Sequence, residues 1–393
     1  MRTGTRSDDV RRRNLSAVLT LVHRHGALSR AELTRCTGLS RSTVKDLVEE
    51  LVGGGLVDEA VAEPGTSAAQ VGRPSPIVRP GNRTLAIAIN PEIDCITVGL
   101  VALGGRVRTV ERVPTAGIPT VAETVTIAAD TVAAMRRRLD SGQSITAIGV
   151  AVPGLVHAPG SEVRMAPHLG WNDEEIGRML GEATGLPVFA ANDANAGAIA
   201  EHLFGRHGNP GHMTAHMTAH VIDNVIDNMI DNMIYVNGGA SGIGAGFIVA
   251  GTLLEGAAGY AGELGHTFVG GADPCHCGRV GCLETEVSQD RTDIAGQAQY
   301  LGIALGNAVN MLNPRLIVLG GFLGEFPRRA AGVLDEAVAR HSMKAPHEMV
   351  RIVPASLGSE TLMIGAAELA FAPLLSDPAT GYHQRVDGDD AAG

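Results

Sequence analysis

The sequence predicts an α/β protein with a winged helix-turn-helix in front of a two-lobed α/β body. Three observations lead there. Short amphipathic helices and a tight turn fill the first 52 residues, strands alternate with helices from about Arg83 onward, and charge divides between the two parts.

The head comes first. Leu15, Val18, Leu19 and Val22 recur at helical spacing and predict a helix ending near His25-Gly26. Ser29-Arg30-Ala31-Glu32 is a capping-box pattern, opening a second short helix to about Cys36. Thr37-Gly38-Leu39 makes the turn, and Gly38 is free to take a positive φ. Ser40 caps a third helix whose apolar stripe is Val44, Leu47, Val48 and Leu51, stopped by Gly53-Gly54-Gly55. Leu56-Val57 and Ile77-Val78 read as short strands around a Gly/Pro/Ser-rich loop, the expected wing. That order places the third helix in a DNA major groove, with Arg41, Ser42, Thr43 and Lys45 at its base-reading end. Arg73, on the wing, is placed to reach a minor groove or a phosphate.

The body begins with Leu85–Ile89 and Ile96–Val101 as adjacent strands and Gly104-Gly105 as a turn. Val121–Leu139 reads as a helix, Ala147–Val152 as a buried strand ending at Pro153-Gly154, and Val188–Ala190 as a strand ending at Asn192-Asp193. Leu316–Leu319 precedes Gly320-Gly321 in the same way. This alternation predicts two lobes with a cleft between them. The expected units are 1–80 for the head, 81–191 for the first lobe, completed by a C-terminal helix over 358–375, and 192–357 for the second. A disordered tail is expected over 376–393.

Charge follows the same division. Residues 1–80 hold 12 basic and 9 acidic side chains, and the rest holds 19 and 33. A slightly basic head on an acidic body fits a DNA-binding module carried by a domain that does not touch phosphates. The composition, 45% apolar with 51 glycines, excludes a coiled coil or a disordered chain. Arg11-Arg12-Arg13 leads into amphipathic sequence rather than a signal peptide. The apolar run Ile243–Gly259 is broken by Glu255 and too short to span a bilayer. A cytoplasmic protein with no membrane partner is expected.

Two clusters carry chemistry. Cys275, Cys277 and Cys282 lie within eight residues of a glycine-rich turn, a density that favours metal over a disulfide in a reducing compartment. His266 is the favoured fourth ligand and His276 its competitor; four protein ligands would make the zinc structural. Cys36 and Cys95 stand alone as core residues. Asn192-Asp193-Ala194-Asn195 follows a strand, which places a carboxylate at a cleft, and Glu263 and Glu284 flank the cysteine loop. Such acceptors, with a histidine and an asparagine, suit the alternating hydroxyls of a sugar. His212, His216 and His220 fall four apart, but inside near-identical four-residue copies over 212–232. They read as tandem duplication rather than a metal site.

Together these motifs resemble the ROK family of repressors, open reading frames and sugar kinases. The resemblance rests on Ser241-Gly242-Ile243-Gly244-Ala245-Gly246, Gly256, Gly262-Glu263-Leu264-Gly265-His266 and the cysteine loop. Val152-Pro153-Gly154-Leu155, His168-Leu169-Gly170-Trp171 and Asn192-Asp193-Ala194-Asn195 stand in the family's order. It covers roughly 83–375, and the head ending in Gly72-Arg73-Pro74 looks like that of the family's regulators. The resemblance implies an actin/hexokinase-like body with Asn192, Asp193, Glu263, His266 and Glu284 on sugar hydroxyls, and Asp193 as the base in a kinase. His266 would then serve both zinc and sugar.

One stretch departs from it. The family's kinases carry a glycine-rich acidic loop after the first strand, where this chain reads Ile89-Asn90-Pro91-Glu92-Ile93-Asp94. Pro91 removes a donor and Glu92 repels phosphate, so phosphoryl transfer should be lost. The expectation is a sugar-responsive regulator, repressor favoured and activator left open, binding palindromic DNA as a homodimer or higher oligomer. The cysteine loop would relay sugar binding. The alternative is an active sugar kinase with a DNA-binding head, and a weaker one is a regulator that answers only to a protein partner.

Overall fold

The computed structural model describes residues 4–60, 75–157, 160–207 and 230–379. The head consists of α1 (Gly4–His25), β1 (Leu28–Ser29), α2 (Arg30–Thr37), α3 (Arg41–Gly53), β2 (Val57–Ala60) and β3 (Ile77–Pro80). Its local signals act as their chemistry requires. The Ser29 hydroxyl accepts the Glu32 N–H at 3.2 Å and the Glu32 carboxylate accepts the Ser29 N–H at 2.6 Å, closing the capping box. Gly38 turns the chain at φ +68°, and Ser40 caps α3 through the Thr43 N–H. The three helices bury Leu15, Leu19, Leu33, Val44, Leu47 and Leu51 against one another. β1 escaped the periodicity because two residues carry no period; it pairs with β3, making a three-stranded antiparallel sheet. The wing loop over 61–74, Arg73 included, lies outside the described residues, as does 212–229 of the duplicated segment.

The first lobe contains β4 (Thr84–Pro91), β5 (Cys95–Ala102), β6 (Arg106–Pro114), α4 (Val121–Arg136) and β7 (Ser144–Val152). It continues with β8 (Leu155–His157), β9 (Glu162–Ala166), β10 (Trp171–Glu174), α5 (Ile176–Thr184) and β11 (Val188–Asn192). Its main sheet runs β11-β7-β4-β5-β6, parallel across the first three and antiparallel across the rest. β4 shows why it sits centrally. Leu85, Ile87 and Ile89 point to α4 with Val125, Ala128 and Val132, while Ala86 and Ala88 face the opposite side. Large residues on one face and alanines on the other let a helix approach the second face closely.

Then come α6 (Asp193–Phe204), β12 (Met233–Gly239), β13 (Gly242–Val249) and β14 (Thr252–Leu253). The chain continues through α7 (Leu283–Glu286), α8 (Ile294–Leu312), β15 (Leu316–Gly321), α9 (Phe326–Arg329) and α10 (Ala331–His341). It closes with α11 (Lys344–Met349), β16 (Arg351–Pro354) and α12 (Thr361–Ser376). The second sheet, β14-β13-β12-β15-β16, repeats the plan of the first: an antiparallel meander, then two parallel additions. The helix that ends each lobe crosses over. α6 lies on β12 and β13 of the second sheet, α12 lies on β4 and β7 of the first, and the two helices pack against each other.

The crossovers meet at one buried carboxylate. Glu201, on α6, accepts the backbone N–H groups of Ser356 and Leu357 at 2.9 and 3.0 Å and the Ser356 hydroxyl at 2.9 Å. It also bonds His207 Nε2 at 2.6 Å. Burial works to raise this carboxyl, but the bonds from His207, Leu357 and Ser356 outweigh it and hold the pKa below its ordinary 4.5. A depressed carboxylate stabilises the fold above its unfolded pKa, and that contribution is lost as pH falls through the folded value. Glu201→Ala should therefore cost about 3 kcal/mol at pH 7, read as a lower urea midpoint. The gap to the parent should narrow below pH 4.5.

Candidate functional site

A cavity of about 370 Å³ opens between the lobes. From the first lobe it takes Asn90 and Glu92 at the end of β4, Gly154 after β7, and His168 ahead of β10. From the second it takes Asn237, Gly242 and the loop carrying Glu263, His266, His276 and Glu284. Asn192 and Asp193 stand where β11 becomes α6.

Asp193 is half-buried. Its carboxylate accepts the Asn237 amide at 3.0 Å and the Ala194 N–H at 2.8 Å. Burial pushes its pKa up to about 6; those two bonds oppose the rise, and Glu263 and Glu92 add to it. Asn237 is in turn held by the Tyr235 hydroxyl at 3.2 Å. Asn192 is largely committed to structure. Its Oδ1 caps α6 through the N–H groups of Ala194 (2.9 Å) and Asn195 (3.2 Å), and its amide donates to the Gly154 carbonyl at 3.0 Å. One amide hydrogen is left for a ligand. Asn90 likewise donates to the Ala151 carbonyl at 2.9 Å, tying β4 to β7.

The loop from Gly262 to His266 lies directly on β13. A Cβ at Gly265 would fall 1.9 Å from the Ile243 carbonyl, so only glycine allows this approach. It brings His266 Nε2 to 3.8 Å from Glu263 and Nδ1 to 3.4 Å from Glu284. Gly244 and Gly246 belong to β13 itself. Their missing side chains make room for Ala194 and Ala198 of α6.

His266, Cys275, Cys277 and Cys282 come together, with all four ligand atoms within 4.8 Å of one another. Cys275 Sγ is 3.5 Å from His266 Nδ1, and Cys277 and Cys282 sulfurs are 3.6 Å apart. Around a tetrahedral cation with metal–sulfur bonds near 2.3 Å, ligand sulfurs sit about 3.7 Å apart, so the donors fit such an ion. His276 faces the cavity instead, edge-on to His168 across the cleft with ring centroids 4.8 Å apart. Cys95 is buried and Cys36 half-buried, both apart from this cluster.

On the head, Arg41, Ser42 and Lys45 are exposed at the start of α3. Thr43 is half-buried, its hydroxyl bonded to Ser40 at 2.9 Å, and Lys45 pairs with Glu49 at 3.6 Å.

The family model described as ROK family matches residues 86–219, 219–292 and 289–372. The chain belongs to the ROK family. Among ROK relatives, the xylose repressor of Bacillus subtilis is 26% identical over 393 residues, covering 92% of this chain and 95% of that protein. The xylose repressor of Caldicellulosiruptor bescii is 25% identical, covering 93% and 97%. A glucokinase of Streptomyces coelicolor is 25% identical but covers only 71% of this chain and 95% of its own. A solved ROK family transcriptional regulator, a homolog of the E. coli MLC protein, superposes with TM-score 0.71 at 23% identity over 93% of this chain and 97% of its own. The Streptomyces griseus ROK glucokinase, solved with glucose and AMPPNP, gives 0.57 at 22% identity over 73% and 99%. These structures show that the fold is shared, body and head together in the first case.

Asn237, His168 and His276 were not singled out from the sequence as cavity residues. Asn237 had a faint signal, since it directly precedes Gly238-Gly239; His168 was noted only within its motif and His276 only as a competing metal ligand, because the two meet only across the cleft. Asp193 yields a test. A folded pKa raised above the unfolded 3.8 means that its ionised form costs stability, a cost absent at low pH and complete once pH rises past about 6. Asp193→Asn keeps the acceptor for Asn237 and Ala194, so it should stabilise the fold by about 1–3 kcal/mol at pH 8. Thermal unfolding at pH 8 and pH 4 checks this, with little gain expected at pH 4.

Proposed function

We propose that this ROK chain is a sugar-gated transcriptional repressor whose cleft binds its effector without phosphorylating it. The observation that carries the reading is the joining of an exposed reading helix, with Arg41, Ser42 and Lys45 at its start, to a cavity built for hydroxyls. The relatives named xylose repressors align across both parts, which supports it further.

Among the described residues, Glu92, Asp193, Glu263 and Glu284 line the cavity against a single arginine, Arg279. That surplus of acceptors favours an uncharged sugar and disfavours a sugar phosphate. In this reading Asp193, Glu263, Glu284 and His266 Nε2 contact the hydroxyls, and Asn192 supplies its remaining amide hydrogen. His266 and the three cysteines hold a structural zinc, the ion suited to a thiolate-rich set with one imidazole. Bound there, zinc would supply rigidity to the loop that His266 and the cysteines anchor; the hydroxyl contacts belong to the side chains. Two copies bind the two halves of a palindromic operator.

A kinase reading has one observation in its favour, the cavity-facing Asp193 with its raised pKa. Against it, Pro91 lacks an N–H, Glu92 lines the cavity, and no residue from 90 to 95 takes a positive φ, so β4 ends without a phosphate cradle.

Fluorescence anisotropy on the chain's own promoter DNA, across salt and a panel of xylose, glucose, N-acetylglucosamine and hexose 6-phosphates, tests the reading. Binding should weaken steeply with salt and with one neutral sugar, and Arg41→Ala should cost about tenfold in affinity. Absence of salt-sensitive binding at every sugar concentration would sink it. ADP release that disappears in Asp193→Asn would establish the kinase instead. Metal analysis should find one zinc per chain, and Cys277→Ser should lose most of it along with sugar affinity.

A further inference from the structure

The head is built into the body. Leu15, Val18, Leu19 and Val22 of α1 share one continuous core with Ala366, Ala370, Phe371 and Leu374 of α12. The Ser16 hydroxyl donates to the Leu375 carbonyl at 2.7 Å, and the Arg106 guanidinium donates to the Pro80 and Gly81 carbonyls at the end of β3. Only three residues separate β3 from β4.

Inside this seam lies a buried polar group. His23 of α1 is 1% exposed and Glu368 of α12 is 5% exposed. The His23 Nδ1 accepts the Gly104 N–H at 2.9 Å, so the ring carries its hydrogen on Nε2, which donates to both Glu368 oxygens at 3.0 and 2.9 Å. The same ring stands edge-on to Phe371 of α12, centroids 5.9 Å apart, and to Phe204 of α6, centroids 5.4 Å apart. An apolar pair of similar volume would hold the seam as well or better, so a buried carboxylate–imidazole pair points to orientation rather than stability.

Both helices that touch His23 begin at the cavity. α6 opens at Asn192 and Asp193 and ends at Phe204. α12 has Leu362 in the cavity wall and meets the head along its second half, from Glu368 to Leu375. At 1.5 Å per residue, the paths to His23 are about 18 Å along α6 and about 9 Å along α12 from Leu362 to Glu368. α6 rests on the second sheet and α12 on the first, so any change in lobe closure is a displacement of one helix against the other.

We infer that His23, wedged between Phe204 at the far end of α6 and Glu368 halfway along α12, is the positioning residue through which cavity closure turns the DNA-reading head. This rests on the sugar-gated reading above. It routes the signal along α6 and α12 rather than through the cysteine loop, which belongs to the second lobe. His23 touches neither effector nor DNA.

The test measures operator affinity with and without saturating effector sugar, and sugar affinity by calorimetry, for the full chain and for Glu368→Leu, His23→Phe and His23→Gln. Glu368→Leu and His23→Phe should bind sugar within twofold of the parent, while the sugar-induced change in operator affinity collapses to below twofold. His23→Gln, which keeps a donor toward Glu368, should retain most of the response. An undiminished response in Glu368→Leu and His23→Phe overturns this inference alone. A parent chain with no sugar response overturns the underlying reading and this inference with it. Should the variants not fold, hydrogen exchange on the parent decides. Sugar must change protection in 15–25 and 361–376, and unchanged protection in both overturns the inference.

Discussion

The exchange of α6 and α12 between the two sheets is the constraint from which the rest follows. Each lobe ends in a helix that packs on the other lobe's sheet, and the two helices lie against each other at the floor of the cleft. The contact is close because both sides are stripped of side chains. A Cβ at Gly365 would fall 2.0 Å from the Ala196 carbonyl, and where α12 lies on the first sheet, one at Gly149 of β7 would fall 1.7 Å from the Ala366 carbonyl. The alternation of large residues and alanines along β4 serves the same approach. Surfaces packed this tightly slide or tilt as units rather than deform, which suits a joint between rigid lobes.

The position of the cavity is a consequence. Helices that cross between sheets start at the cleft, so α6 delivers Asp193 and its capping Asn192 to one wall. The opposite wall is the loop pressed on β13, which presents Glu263, His266 and Glu284. This enclosure is rich in acceptors and poor in cations. It solvates hydroxyls well and phosphates badly, and burial first, with Glu263 and Glu92 adding to it, raises Asp193. The Cys/His cluster sits behind the loop, with His266 facing the sulfurs with Nδ1 and the cavity side with Nε2.

Much of this was legible in the chain. The capping box at Ser29, the turn at Gly38, the cap at Ser40 and the stripe Val44 to Leu51 each act through neighbours three or four residues away, so the head could be read helix by helix. The cysteine spacing pointed to a metal-binding cluster, and His266 proved to be the histidine beside it while His276 turned to the cleft. Other features left no local trace. β1 is too short to show a period. The repeated plan of the two sheets is a matter of strand order, which no stretch of sequence encodes locally. Asn192 looked free for a ligand from residue type alone, yet it spends hydrogen bonds on its own helix and on the Gly154 carbonyl, as Asn90 does on the Ala151 carbonyl.

The sequence by itself determined the helices of the head and the buried strands around the cleft, the caps, the cysteine cluster, the division into head and body, and the ending of β4 in Asn90-Pro91-Glu92 without a glycine cradle. Each of these depends on interactions within a few residues or on composition. Tertiary structure alone decided which helix lies on which sheet, that Asn237 steadies Asp193, that His168 meets His276, and that the head is fused to the body through His23 and Glu368. Those two are 345 residues apart along the chain, and only burial in a common core gives a histidine and a glutamate at that separation any reason to meet.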